Sequence, residues 1–426
     1  MLRKNWSIIV IVLLIVVIAL GVTISAAPKK VKLMYWSMLE NDAPACNYYV
    51  EAGKEFAKLN PECEGVEFNV ISYNGYEAKY LTSFMAKTGT PDFFNGTAPD
   101  WAGRYQFADE MPSSLAKNVD MNVSSTSFNQ GMFNGVRYGI PIQGGHFMMM
   151  WINTDMYKEA GLDPNKPPMT FTELLEHAKK LTKYDANGKV IRSGYGIRYK
   201  GAPVGITEKF FPVLHAFGGV MVDPEFKKGS GFVNSPAAIE ALTFYGDLVN
   251  KYKVSSLEVE NSELAFGKGL AAIIFRESWL VGWMAVNAPD IKYRIYALPG
   301  QKVDPGPTDI FPWSDMVYKY SPNKELAWKF MEFMWSKEHD LAKSQAQNFM
   351  PIMKVNYEND VVKARPEYNA VMESDKRLPG PTYLAAKTNE VATIYGDAVL
   401  DVIYGRNDAK TALDAAAVKI DQILKQ

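Results

Sequence analysis

The chain has 426 residues, 47% of them hydrophobic and 13% aromatic, with a formal net charge of −1, a balance that excludes a disordered polymer and offers no basic patch for a nucleic-acid partner. Its four histidines, His146, His177, His215 and His339, have no mutual spacing suited to zinc and no cysteine pair beside them, so no metal site is expected. A glycine-rich phosphate loop with Lys-Ser/Thr and a G-x-S-x-G elbow are both missing, and no cofactor is expected.

Arg3 and Lys4 precede an almost unbroken apolar run from Ile8 to Val22, followed by Ser25-Ala26-Ala27, the pattern of an export signal. Pro28 disfavours cleavage after Ala27, and the run approaches the length of a short membrane span, so residues 1–27 read as a signal peptide or an N-terminal anchor. Without them two basic and no acidic residues are lost, and the charge becomes −3. The roughly 400 residues that remain suit two domains. Cys46 and Cys63 invite a disulfide in an exported protein. Geometry opposes it: a helix over 44–59 carries the chain about 20 Å from Cys46, and four residues return at most ~14 Å.

The pattern then alternates. Val31–Trp36 reads as a strand, Pro44–Leu59 as a helix, Val66–Tyr73 as a strand, Tyr76–Lys87 as a helix closed by Gly89, and a third strand starts at Pro91. Such alternation implies a mainly parallel sheet with crossover helices. Asp100 and Trp101 stand at the exit of the third strand, where an aspartate caps a helix as readily as it binds a ligand. Between Gly135 and Asn153 two β-like runs flank Gln143-Gly144-Gly145, a place for the chain to pass between domains. Thr170 and Glu173 form a capping box for a helix over Phe171–Lys183, and a strand follows to about Tyr199. Further helices are expected over Phe210–Phe217, from Ser235-Pro236, from Ser321-Pro322 to Trp335, and over Leu384–Tyr404 and Ala409–Leu424, the last two on the second domain.

The stretch Leu264–Gly300 is the densest in chemistry. Leu270–Phe275 suits a strand buried on both faces; Arg276 and Glu277 end it, Ser278 is placed to cap a helix, and Trp279 and Trp283 share one face of that helix. Ligands collect at the carboxyl ends of strands in open α/β sheets. A basic, an acidic and an indole group there suggest recognition of a polar molecule with a flat face.

The segments ELAFGKGLAAIIFRESW and YRIYALPG, the earlier VRYGIPIQGGHFMMMWINTDMYKEAGLDPNKPPMTFTELLEHAKKLT, and YGRNDAKTALDAAAVKIDQIL near the end resemble the family 1 extracellular solute-binding proteins of ABC transporters, the maltose-binding-protein-like group. The resemblance covers essentially the whole exported chain. It implies an α/β, two-lobed periplasmic-binding-protein-like fold, each lobe a mainly parallel sheet flanked by helices. It also implies a hinge that closes on a mono- or oligosaccharide, and delivery of the sugar to a membrane permease by a protein expected to be a monomer. Lobe 1 would be 28–142 plus 276–320 and lobe 2 143–275 plus 321–426, with crossings near Gln143, Arg276 and Ser321.

Sugar faces need aromatic plates, and sugar hydroxyls need Asp, Glu, Arg, Asn or Gln. Positions matching the family's cleft segments are Trp36, Asp100, Trp101, Arg276, Glu277 and Trp279. Gln143 and His146 match the crossing strand, and Trp313 and Asp315 a following loop. Where the family commonly has a small Gly-Ser or Gly-Pro before the tryptophan, this chain has Arg276-Glu277-Ser278, which adds charge and leaves room for acidic or amino sugars or a different polar solute. Asp100 and Glu277 as the acid pair of a secreted glycoside hydrolase is the alternative. The chain reads as a binding protein rather than an enzyme.

Overall fold

The computed structural model describes residues 30–38, 43–73, 75–145, 147–309, 313–377 and 387–425. In chain order the strands are β1 (Val31–Ser37), β2 (Cys63–Val70), β3 (Phe93–Thr97), β4 (Met132–Phe133), β5 (Val136–Arg137), β6 (Gly139–Pro141), β7 (Met148–Asn153), β8 (Lys183–Tyr184), β9 (Val190–Tyr195), β10 (Ala271–Glu277), β11 (Tyr293–Tyr296) and β12 (Trp313–Val317). They form two five-stranded sheets, ordered β2-β1-β3-β12-β6 and β11-β7-β10-β9-β8, with β4 and β5 as a separate hairpin. Two helix-flanked sheets give the α/β, two-lobed class. The sheets are mixed rather than mainly parallel. β1 runs parallel to β2 and β3, but β12 is antiparallel to β3 and β6, and β7 is antiparallel to β10 and β11. β12 and β7 are the strands that enter each sheet from the other lobe, so no crossover helix sets their direction.

The first sheet is covered by the helix Ala43–Leu59, whose buried Cys46, Tyr49, Ala52 and Phe56 recur every three or four residues. Gly53 lets this helix lie directly on β2, since a Cβ there would sit 2.8 Å from the Val66 nitrogen. Cys46 and Cys63 are both buried and are not joined in a disulfide. A helix separates them, as the rise per residue requires.

In the second sheet the run Phe147–Ile152 is buried on both faces. Phe147, Met149 and Trp151 pack in one core with Phe266 and Ile274, while Met148, Met150 and Ile152 join the large core that holds Leu174, Phe210 and Tyr245. β10 is buried along its whole length, the expected habit of an apolar strand between two layers. Thr170 accepts from the Glu173 amide at 3.1 Å and so caps the helix, while Glu173 reaches back past the cap to accept from the Met169 amide, one residue short of a full capping box. The helix Pro203–Ala216 begins two turns before the expected Phe210, with Pro203 opening it and Gly218 (φ 83°) closing it. The tail helices Thr388–Ile403 and Ala409–Leu424 pack on it and on Pro236–Asn250.

The crossings differ from the sequence-based boundaries. The chain leaves the first sheet after β6 and enters the second at β7, so one crossing is the segment 142–147. The expected crossing at Arg276 is not one, because β10 pairs with β7 through Glu277 and the following β11 also pairs with β7. The polar break at Arg276 is a strand end inside the second lobe. That passage instead occupies the chain between Tyr296 and Trp313. A crossing at Ser321 is likewise displaced: Leu326, Ala327, Phe330 and Met331 pack in the first lobe's core with Leu33 and Phe56, and residues from Tyr357 to Val371 join the second lobe's core. The passage therefore lies near 348–356. The first and third crossings touch. Gly144 donates to the Met350 carbonyl at 3.0 Å, and a Cβ on Gly144 would overlap the Pro351 carbonyl oxygen. Close approach of two backbones, more than flexibility, accounts for this glycine.

Candidate functional site

The carboxyl end of β10 is fixed from beneath. The indole of fully buried Trp151 donates to the Arg276 carbonyl at 3.0 Å, and this holds the strand end where the buried Arg276 and Glu277 side chains meet. Glu277 accepts from Lys209 Nζ at 2.5 Å through one carboxyl oxygen and from Trp279 Nε1 at 3.2 Å through the other. Arg276 lies 3.5 Å from Glu277 and 3.8 Å from Glu263, and its guanidinium covers the Trp279 ring at 4.8 Å. Burial alone would push Glu277 up, but Lys209 and Arg276 outweigh it and hold the carboxyl well below the usual range. Glu263, likewise pushed up by burial, is brought down to about 2 by Arg276 and Arg198.

Lys209 comes from the helix Pro203–Ala216 together with its neighbour Glu208, 3.4 Å from the ammonium. Burial raises Glu208 despite that partner. Arg198 follows β9 and lies over the start of the same helix, where Gly205 makes room for it: a Cβ there would be 2.7 Å from the guanidinium carbon. Three helix or strand ends of the second lobe thus converge on one ion-paired floor.

The first lobe supplies the opposite wall. Tyr73, Tyr76 and Trp313 form an aromatic group with centroids 5.8–6.5 Å apart. The Tyr73 hydroxyl is raised by burial and, further, by Glu208, Glu277 and Asp100, so it feels carboxylates of both lobes at once. The cleft that opens beside it, about 580 Å³, is lined by Tyr73, Tyr76, Glu77, Arg104, Asn389 and Glu390. Asp100 belongs to the wide helical turn Pro99–Arg104 but does not cap it. One carboxyl oxygen accepts from Thr97 at 2.5 Å and from Asn389 of the second lobe at 3.2 Å; the other has no hydrogen-bond partner. Arg104 pairs with Glu390 and lies 3.7 Å from Glu77, so the two lobes also meet through this ion pair.

Of the sequence candidates, Arg276, Glu277 and Trp279 stand together at the end of β10, Trp313 joins the first lobe's aromatic group, and Asp100 meets Asn389 of the second lobe. Gln143 lies on the first crossing, 2% exposed, with neither side-chain amide atom bonded among the described residues. Ser278 does not cap the next helix: its hydroxyl is buried without a partner, and Val281 bonds to its carbonyl instead. Three candidates lie within the first lobe instead. Trp101 is fully buried among Tyr80, Phe84, Phe94 and Tyr105, and Gly96 is small because a Cβ would stand 2.5 Å from that indole. Trp36 packs against Tyr80 and Phe84 beneath the helix Tyr76–Ala86. Asp315 points into the first lobe, where it accepts from Tyr35 at 2.7 Å and from Tyr49, with Lys343 at 3.7 Å. His146 lies outside the described residues. Tyr73, Arg198, Glu208, Lys209, Asn389 and Glu390 were not among the sequence candidates.

Burial is the main reason that the Asp100 carboxyl is raised from 3.8 to about 7; Glu77 and Glu390 add to it, and the Thr97 hydroxyl and Arg104 oppose it. The folded state therefore holds this proton more tightly than the unfolded chain. Its contribution is present below about pH 4 and is lost as the pH rises to about 7. Asp100→Asn should lose less stability than the native chain across that window, read as melting temperature against pH. Parallel curves for the two proteins would contradict this environment for Asp100.

Residues 45–340 match the family described as bacterial extracellular solute-binding protein. A putative binding protein of Brucella abortus is 23% identical over 409 residues, covering 92% of this chain and 93% of the relative. Among solved structures, a solute-binding protein of Thermotoga lettingae bound with α-D-tagatose superposes with a TM-score of 0.78 at 22% identity, covering 92% of this chain and 99% of that one. The maltose/maltodextrin-binding domain of Bdellovibrio bacteriovorus bound to maltotriose gives 0.76 at 18% identity, covering 93% and 100%. Both structures share this fold. Among the described residues no group of three or more His, Cys, Asp or Glu side chains could hold a metal ion, and no helix is long and apolar enough to cross a membrane. The apolar run Ile8–Val22 lies outside the described residues.

Proposed function

Because the chain belongs to the bacterial extracellular solute-binding proteins of ABC transporters, we propose that it captures a mono- or oligosaccharide between its lobes and delivers it to the membrane permease of such a transporter. The observation that carries this reading is the pairing of an aromatic wall, Tyr73, Tyr76 and Trp313, with a charged floor, Lys209, Arg276 and Glu277. A sugar ring offers C–H faces to aromatic side chains and hydroxyls to charged ones. The side-chain bond from Asn389 to Asp100 and the ion pair from Arg104 to Glu390 join the lobes across the cleft, as closure around a ligand requires. The protein acts as a monomer, exported by its N-terminal apolar segment, which tethers it to the membrane wherever it is retained.

A binder is favoured over a glycoside hydrolase. Both carboxyl oxygens of Glu277 are engaged, by Lys209 and by Trp279, and its proton is bound weakly. Asp100, with its raised carboxyl, could serve only as the acid, and Glu277 would have to give up its bond to Lys209 or to Trp279 before it could attack as the nucleophile. Thermal unfolding across a panel of mono- and oligosaccharides is the direct test. A true ligand at 100 times its dissociation constant should stabilise the fold by ~2.7 kcal/mol. If no sugar moves the transition, while polyols, amino acids or phosphate esters do, the carbohydrate reading is wrong.

A further inference from the structure

We propose that the ligand carries a cationic ammonium group, as an amino sugar does, and that Asp100 is the carboxylate that receives it. This rests on the carbohydrate reading of the same cleft and narrows it to one chemical class. The first ground is a charge left unbalanced among the described residues. Glu77, Arg104, Asn389 and Glu390 line one corner of the cleft, and Asp100, which accepts from Asn389, lies directly behind them, so that among the described residues three carboxylates, Glu77, Asp100 and Glu390, share one cation, Arg104. Arg104 is committed to Glu390 and Glu77. Asp100 has no ion pair among the described residues.

The second ground is satisfaction of polar atoms. Asp100 is 4% exposed, and its Oδ1 accepts no hydrogen bond, although Oδ2 accepts from Thr97 and Asn389. Glu390 Oε2 is also buried and unbonded. A buried acceptor left without a donor is costly, and a buried charge without a counter-charge costs more. An ammonium group has three donors and no acceptor, so it supplies the missing charge and the missing hydrogen bonds together. A hydroxyl supplies one donor and no charge.

The surroundings suit a cation as well. Tyr73 and Tyr76 line the same cleft, and aromatic rings attract cations. The other titratable groups facing Asp100 among the described residues are the hydroxyls of Tyr73 and Tyr76; burial raises both, so they stay neutral and bring no competing positive charge. The cations of the floor, Lys209 and Arg276, are already held by Glu277, Glu208 and Glu263.

Isothermal calorimetry separates the possibilities with D-glucosamine, D-galactosamine, D-mannosamine and the β-1,4-linked glucosamine dimer, each measured against the parent sugar and the N-acetylated form. An amino sugar should bind roughly tenfold or more tighter than both of its neutral counterparts. Its affinity should strengthen between about pH 5 and about pH 7, as Asp100 ionises, whereas the neutral sugars show no such rise. In Asp100→Asn the preference for the ammonium form should collapse to within about threefold, and the pH dependence should flatten. Glu390→Gln, at a partly exposed position, should weaken the preference in the same direction if Asp100→Asn proves unstable. A neutral sugar that binds as tightly as its amino form overturns the inference and leaves carbohydrate capture standing. If neither the amino nor the neutral sugars bind, while a non-sugar solute does, the carbohydrate reading fails and takes this inference with it.

Discussion

Lys209→Met should destabilise the protein by about 3–5 kcal/mol, because it removes the cation from a pair that is almost wholly withdrawn from water. Glu208 is 8% exposed and Glu277 5%, so neither carboxylate of the floor can recover its lost partner by turning to solvent. Glu208 and Glu277 would face each other with only Arg276 and Arg198 nearby. Glu277→Leu in the same chain removes the stranded charge, and the double variant should be more stable than Lys209→Met alone, an interaction that a double-mutant cycle in urea isolates. Ligand affinity should fall in both, since Glu277 also orients Trp279. A single-variant loss below about 1 kcal/mol would mean that the pair is hydrated in solution, as exposed pairs are. The floor would then be open to water.

The segment Arg276–Trp279 could be found from sequence because its cause is local. An apolar run that is buried on both faces must end where polar residues begin, and that end is where a ligand can reach the strand. The same rule applied to β9 and β2 points to Arg198 and Tyr73, which stand just beyond those strands. Lys209 and Glu208 carried a weaker signal, two charges inside the apolar helix Ile206-Thr207-Glu208-Lys209-Phe210-Phe211. Charges in such a setting are almost never fully buried unless paired. Asn389 and Glu390 carried none, because their partners Asp100 and Arg104 lie almost three hundred residues earlier.

The position of Asp315 has a simple physical origin. Asp315 is two positions along β12 from Trp313, which stands at the cleft end of the strand because β12 runs antiparallel to β3. Two residues of strand carry a side chain about 7 Å further into the lobe, where Asp315 meets Tyr35 and Tyr49. The boundaries at Arg276 and Ser321 failed for a related reason. A polar break marks the end of an element, but only strand pairing tells which sheet the next element joins, and β11 joins β7.

Trp101→Ala and Tyr73→Ala should separate the fold from the site. Trp101 is fully buried in an aromatic cluster, touching Tyr80 at 5.2 Å, Phe84 at 5.4 Å and Phe94 at 5.6 Å between ring centroids. Its removal leaves a cavity that these rings can fill only in part, so stability should fall by about 3–5 kcal/mol. Affinity should change only as far as the neighbouring Asp100 is disturbed. Tyr73 is half-buried at the cleft, and among the rings it meets Tyr76 and Trp313, residues of its own lobe. Replacing it removes apolar surface from the complex more than from the fold. Affinity should fall by roughly 2–4 kcal/mol, as at an interface hot spot, with little change in unfolding. Urea unfolding and calorimetry on both variants decide the matter. If Tyr73→Ala unfolds as readily as Trp101→Ala while binding is preserved, the aromatic wall is part of the first lobe's core and the ligand lies elsewhere.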